Sequence, residues 1–238
     1  MCTLNLNVEE LIIKCLNELK RISSEGEIIK DQKSKIIFPK YYVGEHALND
    51  KTKKRISEQE ARFLLTREIE LGENTDYYYS IETPTKNRYT GFANKDENPV
   101  ILNHDDSAGR SASVDLSLYI YDKENDDFIR KHLIEFKQGN PKTCKKDFLK
   151  LIFDEKGLAN YYINIIERDE RYKGRTIDSL KRKYNKAIEE LKKENIKLQY
   201  SSILKIYLFN INDGELITSN KIDINNNTNI ISYDIQKL

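Results

Sequence analysis

Charged and apolar side chains alternate along two consecutive segments in the middle of the chain. In FIRKHLIEFKQ (128–138), Glu135 and Lys137 share one face of the predicted strand and Ile134 and Phe136 share the other, since successive strand side chains point to opposite faces. The preceding segment, SASVDLSLYIYD (111–122), alternates in the same way and carries Asp115 on its polar face. The polar KENDD stretch between them predicts a turn, so the two strands form an antiparallel hairpin. Paired residue numbers then sum to about 250 to 252, which sets Asp115 opposite Glu135 or Lys137.

The predicted pairing concentrates two carboxylates and an amine at one point. Their Cβ atoms lie roughly 5 Å apart, so the carboxylates repel each other unless a cation lies between them. Mg²⁺, with Mn²⁺ as a substitute, binds oxygen ligands: one or two protein carboxylates, several waters and a substrate phosphate. Asp115, Glu135 and the main-chain carbonyl of Phe136 are the candidate ligands, and Lys137 is the candidate group that contacts the attacking water or a phosphate. The alternative is a solvated strand face with a cross-strand ion pair, worth a few tenths of a kcal/mol.

Asp115, followed on the next strand by Glu135-Phe136-Lys137, resembles the metal site of the PD-(D/E)XK nuclease superfamily, whose fold is restriction-endonuclease-like. The predicted order of elements over residues 56–167 also resembles that fold, although Val114 stands where the superfamily pattern has proline. The resemblance implies an α/β fold with a central mixed β-sheet flanked by helices. It divides the chain into an N-terminal helical extension packed on the core (1–55) and a nuclease domain (56–238).

The resemblance also implies a function. We expect a Mg²⁺-dependent endonuclease that hydrolyses DNA phosphodiester bonds in restriction, phage defence or repair, with RNA still open as a substrate and a homodimer as one form of assembly. The alternative is an inactive nucleic-acid-binding or assembly module of the same fold, in which the charged triplet only forms ion pairs.

A glutamate on the first helix of the fold reaches the metal in many members of the superfamily. The helix predicted over 57–71 begins at the N-cap Ser57 and offers several glutamates. A buried stripe of Ile56, Phe63, Leu64 and Leu71 places Glu60 on the inward face and turns Glu58 and Glu70 away from it. Glu60 is therefore the predicted catalytic and metal-binding glutamate. Glu68 is the second candidate, with Arg67 beside it as a partner for a carboxylate or phosphate.

Residues around this centre are candidates for nucleic-acid binding. A helix is predicted from about 141 to 155, with Asn140 as its cap and Pro141 as its first residue. This helix carries Lys142, Lys145, Lys146 and Lys150 close to the predicted site. These lysines can bind phosphate irrespective of sequence, or can simply line a solvated face. The candidate contacts are Gln138, Lys142, Lys145, Lys146, Arg110 and Arg88.

Other polar groups are assigned structural roles. The stretch NHDDSAGR sets His104 beside Asp105 and Asp106, but it lacks a second histidine and is predicted to be a polar loop. His132 alternates to the face opposite Glu135 and is predicted to pack. The tyrosines of DYYYSIETPT are predicted to be core residues, with base stacking as the alternative.

The remaining segments supply the rest of the predicted fold. Helical spacing is present over 8–22 and again in the long amphipathic stretch 175–195. Strands are predicted over 77–83, ending at Pro84, over about 160–167, and over 201–211 with a hairpin across the NDG turn. Residues 85–110 are predicted to be a loop.

Composition narrows the function class and the compartment. The formal net charge is +1, so any nucleic-acid site must be a local patch rather than a property of the whole chain. Three widely spaced cysteines favour reduced thiols over a disulfide framework, and no apolar run reaches membrane-spanning length. We therefore expect a cytoplasmic protein with no membrane partner.

Overall fold

The architecture comes from a computed structural model that describes residues 7–25, 40–41, 53–54, 57–72, 76–90, 100–102, 110–194, 201–225 and 231–238. Within these residues the helices are α1 Val8–Glu25, α2 Glu58–Leu71, α3 Lys145–Phe153 and α4 Glu170–Glu194. The strands are β1 Lys40–Tyr41, β2 Lys53–Lys54, β3 Tyr77–Thr90, β4 Val100–Leu102, β5 Arg110–Asp122, β6 Asp127–Gln138, β7 Ala159–Ile166, β8 Ile203–Asn210, β9 Glu215–Ser219 and β10 Tyr233–Lys237.

Eight of the described strands form one mixed sheet in the order β10-β9-β8-β7-β6-β5-β3-β4. The β6–β7 and β7–β8 pairs are parallel, and the other pairs are antiparallel. The side chains of β7 alternate between the two faces: Ile163 packs in a cluster with α1 and α2, and Tyr162 packs in a cluster with α3 and α4. Helices therefore cover both faces, which confirms the predicted α/β class with a mixed sheet.

The central hairpin forms as the alternation predicted. Leu116 pairs with Ile134 and Leu118 with His132, so the residue numbers of each pair sum to 250. A register shift follows between Leu118 and Tyr119, and it lies on the turn side of the paired stretch. The register next to Asp115 is therefore the predicted one.

Two expected element boundaries were wrong. β3 does not end at Pro84 but continues to Thr90, because a register shift between Pro84 and Arg88 accommodates the proline within the strand. Residues 85–90 and 100–102 are consequently strand rather than loop. The cluster at His104 lies outside the described residues.

The helix after β6 begins later than expected. Cys144 is the N-cap of α3, and Asn140 and Pro141 precede the helix. The Lys183 ammonium of α4 donates hydrogen bonds to the Asn140 side-chain oxygen (2.5 Å) and to the Pro141 carbonyl (2.7 Å). Since that side-chain oxygen is bound to α4, it does not cap α3.

The buried stripe of α2 also differs from the predicted one. Phe63 and Leu71 are 51% and 62% exposed, whereas Leu64 is buried as expected. Ala61, Leu65 and Ile69 complete the buried face, which packs against α1 and the sheet. This rotation of the helix decides which glutamate reaches the sheet.

The two ends of the chain both contribute to the main core or sheet. Apolar side chains of α1, including Leu11 and Leu16, share one cluster with α2 and the central strands. The C-terminal strands β8 to β10 extend the same sheet. The predicted boundary between residues 55 and 56 lies outside the described residues.

Cys15 and Cys144 are buried and unpaired. Burial raises the pKa of both thiols, to about 11 for Cys144. In the part of the chain that the structure describes, no helix is both long enough and apolar enough to span a membrane.

Candidate active site

The sheet divides at the residues that the sequence singled out. Pairing between β5 and β6 stops at Leu116 and Ile134. Beyond this point β5 remains paired with β3 as far as Arg110, and β6 remains paired with β7 as far as Gln138. We call the opening between residues 110–115 of β5 and residues 135–138 of β6 the strand split.

Two carboxylates replace the backbone acceptors that β6 loses at the strand split. The Phe136 N–H donates to Asp115 Oδ2 at 2.7 Å, and the Gln138 N–H donates to Glu58 Oε1 at 3.0 Å. Phe136 is buried, so leaving its N–H unpaired would be costly, and the hydrogen bond to Asp115 stabilises the divergence of the strands. The two hydrogen bonds also fix Asp115 and Glu58 at the same opening.

The side chain of Glu135 contacts Lys150 of α3 and is 2% exposed. The Lys150 ammonium of α3 donates hydrogen bonds to Glu135 Oε1 and to the Ser113 carbonyl, the latter at 2.8 Å. On the other side, the Lys137 Nζ lies 3.6 Å from Glu135 Oε2. Each carboxylate oxygen of Glu135 therefore faces a different lysine.

Asp147 of α3 closes these contacts into a ring of alternating charges. Its Oδ1 lies 3.4 Å from the Lys150 Nζ, and its Oδ2 lies 3.7 Å from the Lys137 Nζ. We call Glu135, Lys137, Asp147 and Lys150 the charge ring. Because two acids and two lysines alternate, the ring is neutral when all four groups are charged.

An arginine and a more exposed glutamate lie on the other side of Asp115. The Arg62 guanidinium donates to Glu82 and lies 3.9 Å from Asp115 Oδ1. The Ser113 hydroxyl donates to the second oxygen of Glu82 at 3.2 Å. The hydrogen bond from Arg62 lowers the pKa of Glu82, so this carboxylate is ionised beside the strand split.

Electrostatic repulsion within the site is only partly relieved. Burial raises the pKa of Glu135, and Asp147 and Asp115 raise it further, which outweighs the lowering by Lys150 and Lys137. Burial likewise raises the pKa of Glu58. Burial lowers the pKa of Lys137, but the surrounding carboxylates outweigh this and the net shift is upward, so this lysine stays charged. An added cation would relieve the remaining repulsion between the carboxylates.

The structure brings together Asp115, Glu135 and Lys137, as the hairpin register predicts. The N–H and C=O of one strand residue point toward the same neighbouring strand. Since the Phe136 N–H binds Asp115, we expect the Phe136 carbonyl to face the strand split as well. The roles assigned to these residues remain predictions.

The prediction that Glu60 faces the sheet and Glu58 faces away from it was wrong. The Glu60 carboxylate accepts hydrogen bonds from the Ser57 N–H (2.9 Å) and hydroxyl, so it stabilises the start of α2. Glu58 reaches the sheet instead, because it lies one turn before Arg62, on the side of the helix that faces Asp115. The second candidate, Glu68, lies 3.5 Å from Arg67.

The candidate nucleic-acid contacts differ in their exposure. Gln138, Lys142 and Arg110 are exposed, while Arg88 and Lys146 are half-buried. Lys145 is buried, with its Nζ 3.8 Å from the Glu190 carboxylate of α4. The prediction that Lys145 contacts phosphate was therefore wrong, because packing of α3 on α4 covers this side chain.

Sequence reasoning missed Asp147 and Arg62 and turned Glu58 away from the site. It placed Lys150 near the site, but as a phosphate contact and not as a partner of Glu135. One signal was present in α3, where Asp147 and Lys150 interrupt an otherwise apolar run that includes Phe148 and Leu151. Charged residues surrounded by buried ones need partners of opposite charge. Glu58 and Arg62 are four residues apart, which places them next to each other on one side of the helix, and this was a weaker signal.

The carboxylate oxygens at the strand split are candidate ligands for a hard cation such as Mg²⁺. Among the described residues, no group of three or more His, Cys, Asp or Glu side chains is arranged to hold a metal ion. Mg²⁺ usually binds through only one or two carboxylates together with waters and substrate phosphates. Asp115 Oδ1 and Glu135 Oε2 supply two such carboxylate oxygens. Arg62 lies 3.9 Å from the first and Lys137 lies 3.6 Å from the second, so neither contact is a close hydrogen bond.

Comparison of the chain with known protein families, with curated proteins and with solved structures gave no match. The assignment of function therefore depends on the geometry of the site and on the resemblance of its motif.

Replacing Asp115 tests its structural role separately from its charge. Asp115→Ala should destabilise the fold by about 1–3 kcal/mol, because the Phe136 N–H loses its acceptor. Asp115→Asn keeps an oxygen acceptor and should cost less. Urea unfolding measures the difference, and amide hydrogen exchange at Phe136 should speed up only in the alanine variant. Equal exchange in both variants would contradict the assigned hydrogen bond.

The raised pKa of Glu135 predicts a pH dependence of stability in EDTA. The folded protein retains a proton that the unfolded chain releases above its ordinary pKa of 4.5, so this contribution to stability falls as pH rises through the folded pKa. Glu135→Gln cannot titrate. The free energy of unfolding of the wild type minus that of Glu135→Gln should therefore decrease from pH 4.5 upward. A difference that grows with pH would contradict the upward shift.

Proposed function

We propose that the chain is a metal-dependent nuclease that hydrolyses DNA phosphodiester bonds, with a restriction-endonuclease-like core. An endonuclease in restriction, phage defence or repair is the form we favour. The observation that carries the proposal is the strand split, where buried Glu135 lies beside Asp115 and Lys137 on the two strands that the superfamily motif requires. The mixed sheet with helices on both faces supports the same assignment.

Asp115 and Glu135 are the proposed metal ligands, joined by the main-chain carbonyl of Phe136. Bound Mg²⁺, or Mn²⁺ in its place, would lower the pKa of a coordinated water and neutralise charge on the scissile phosphate. Asp115 is suited to this role because its Oδ2 is fixed by the Phe136 N–H while its Oδ1 has only a long contact to Arg62. Glu58 is better placed than Glu60 to assist, since it already lies at the strand split.

Lys137 is the proposed group that orients water or stabilises the phosphate. Its contacts to Glu135 (3.6 Å) and Asp147 (3.7 Å) are longer than hydrogen bonds, so the ammonium can turn toward a substrate oxygen at small cost. The surrounding carboxylates keep it charged. A fixed positive charge at this point would stabilise the negative charge that develops as the phosphodiester bond breaks.

Both sides of the strand split carry exposed groups that fit a phosphate backbone. Arg110 lies on the β5 side, and Gln138 and Lys142 lie at the end of β6 and just after it. Such contacts would position a strand without reading its sequence. We propose DNA as the substrate, with RNA as the alternative to be tested, and a homodimer as the form that would cut both strands. The buried, unpaired Cys15 and Cys144 support a reducing, cytoplasmic setting.

A second candidate function is supported by the charge ring itself. Glu135 already forms an ion pair with Lys150, an arrangement that requires no metal. The chain would then be an inactive nucleic-acid-binding or assembly module of the same fold. The two functions differ in whether Asp115 and Glu135 are needed for chemistry or only for folding.

Plasmid cleavage separates these functions. We expect the purified protein to nick or cut supercoiled DNA with Mg²⁺ or Mn²⁺, and to lose this activity in EDTA. Asp115→Asn and Glu135→Gln should each lower the rate by at least about 10²-fold, as expected on removal of a group that stabilises the transition state. Lys156→Ala, which alters an exposed lysine beyond α3, is the control that should cut normally.

Circular dichroism of each variant shows whether a lost activity reflects lost structure. Intact plasmid in the presence of metal, together with retained DNA binding by the folded wild type, would refute the nuclease and favour the binding module.

A further inference from the structure

The ammonium of Lys150 lies among oxygen atoms in the way a bound metal ion would. It contacts a Glu135 carboxylate oxygen, the Ser113 carbonyl at 2.8 Å and Asp147 Oδ1 at 3.4 Å. These oxygens come from β6, β5 and α3, so they are fixed by three separate elements. Carboxylate and main-chain carbonyl oxygens are also the ligands that hard divalent cations use.

The two lysines of the charge ring differ in how firmly they are held. The Lys150 side chain is 9% exposed, and its ammonium donates two hydrogen bonds. The Lys137 side chain is 25% exposed, and its carboxylate contacts exceed hydrogen-bonding distance. A metal ion that approaches Glu135 from the strand split would therefore displace Lys137 and leave Lys150 in position.

The charge balance of the site supports one divalent ion. Glu58, Asp115, Glu135 and Asp147 supply four carboxylates, against the two ammonium groups of Lys137 and Lys150. Arg62 pairs with Glu82 and also lies 3.9 Å from Asp115 Oδ1, and together Arg62 and Glu82 add no net charge. When all four carboxylates and both ammonium groups are charged, two formal negative charges remain, and a single divalent cation would neutralise them. A second divalent ion would add buried positive charge with no carboxylate to match it, which is costly.

We infer that Lys150 is a built-in second cation, so that the nuclease proposed above holds one divalent metal ion where two-metal nucleases hold two. The ammonium balances Glu135 at its Oε1 and Asp147 at its Oδ1. Asp115 and the other oxygen of Glu135 then remain for the metal. This inference rests on the proposed function, and metal binding can test it without an activity measurement.

The test measures how many Mn²⁺ ions bind to each chain of the wild type and of three variants. Electron paramagnetic resonance reports the free Mn²⁺, and the bound Mn²⁺ is the total minus the free ion. The wild type and the exposed-lysine control Lys156→Ala should bind one Mn²⁺ per chain. Lys150→Ala removes the ammonium and leaves space among its oxygens, so it should bind two. Lys150→Met fills that space with an apolar chain and should bind one. The melting temperature of Lys150→Ala should also rise more with Mn²⁺ than that of the wild type.

Each outcome bears on a different claim. Two Mn²⁺ ions in the wild type would overturn the role of Lys150 and leave the nuclease proposal intact. One ion in both the wild type and folded Lys150→Ala would also overturn it. A wild type that binds no Mn²⁺ would remove the proposed metal site and this inference with it. Should neither Lys150 variant fold, the count for the wild type alone decides between one ion and two.

Discussion

The divergence of β5 from β6 after the Leu116–Ile134 pair is the constraint on which the site depends. It leaves the Phe136 and Gln138 N–H groups without strand partners, and the carboxylates of Asp115 and Glu58 accept their hydrogen bonds instead. A backbone requirement thus places acidic groups at the opening of the sheet. The same hydrogen bonds hold each carboxylate by one oxygen and leave the other oxygen for a further partner.

The second constraint is the burial of Glu135. A carboxylate this deeply buried is stable only if it is paired or neutral, and removal of one member of a buried ion pair typically costs about 3–5 kcal/mol. α3 supplies both the stabilising charge, through Lys150, and a competing one, through Asp147. The upward pKa shift of Glu135 has burial as its main cause, and burial together with repulsion from Asp147 and Asp115 outweighs its two lysines. A site with this residual repulsion is stabilised by a cation, which connects the packing of α3 to the proposed chemistry.

The hairpin could be predicted from sequence, whereas the orientation of the helices could not. The alternation around Asp115 and Glu135 fixes which side chains share a face, and a turn between the strands fixes their register. The choice between Glu58 and Glu60 depends on the rotation of α2, which its packing against α1 and the sheet determines. Phe63 suggested a different rotation because it is large and apolar, yet it is exposed. Lys150 was expected near the site as a phosphate contact. Its pairing with Glu135 could not be predicted, because its partners lie on β5 and β6, far away in sequence.

The most direct measurement is a crystal structure of the protein soaked in Mn²⁺, with anomalous scattering used to locate the metal. The account predicts one strong peak at the strand split, between Asp115 Oδ1 and Glu135 Oε2, with Lys150 still bound to Glu135 Oε1. An absence of anomalous density between Asp115 and Glu135 at saturating Mn²⁺, with the charge ring unchanged, would contradict it.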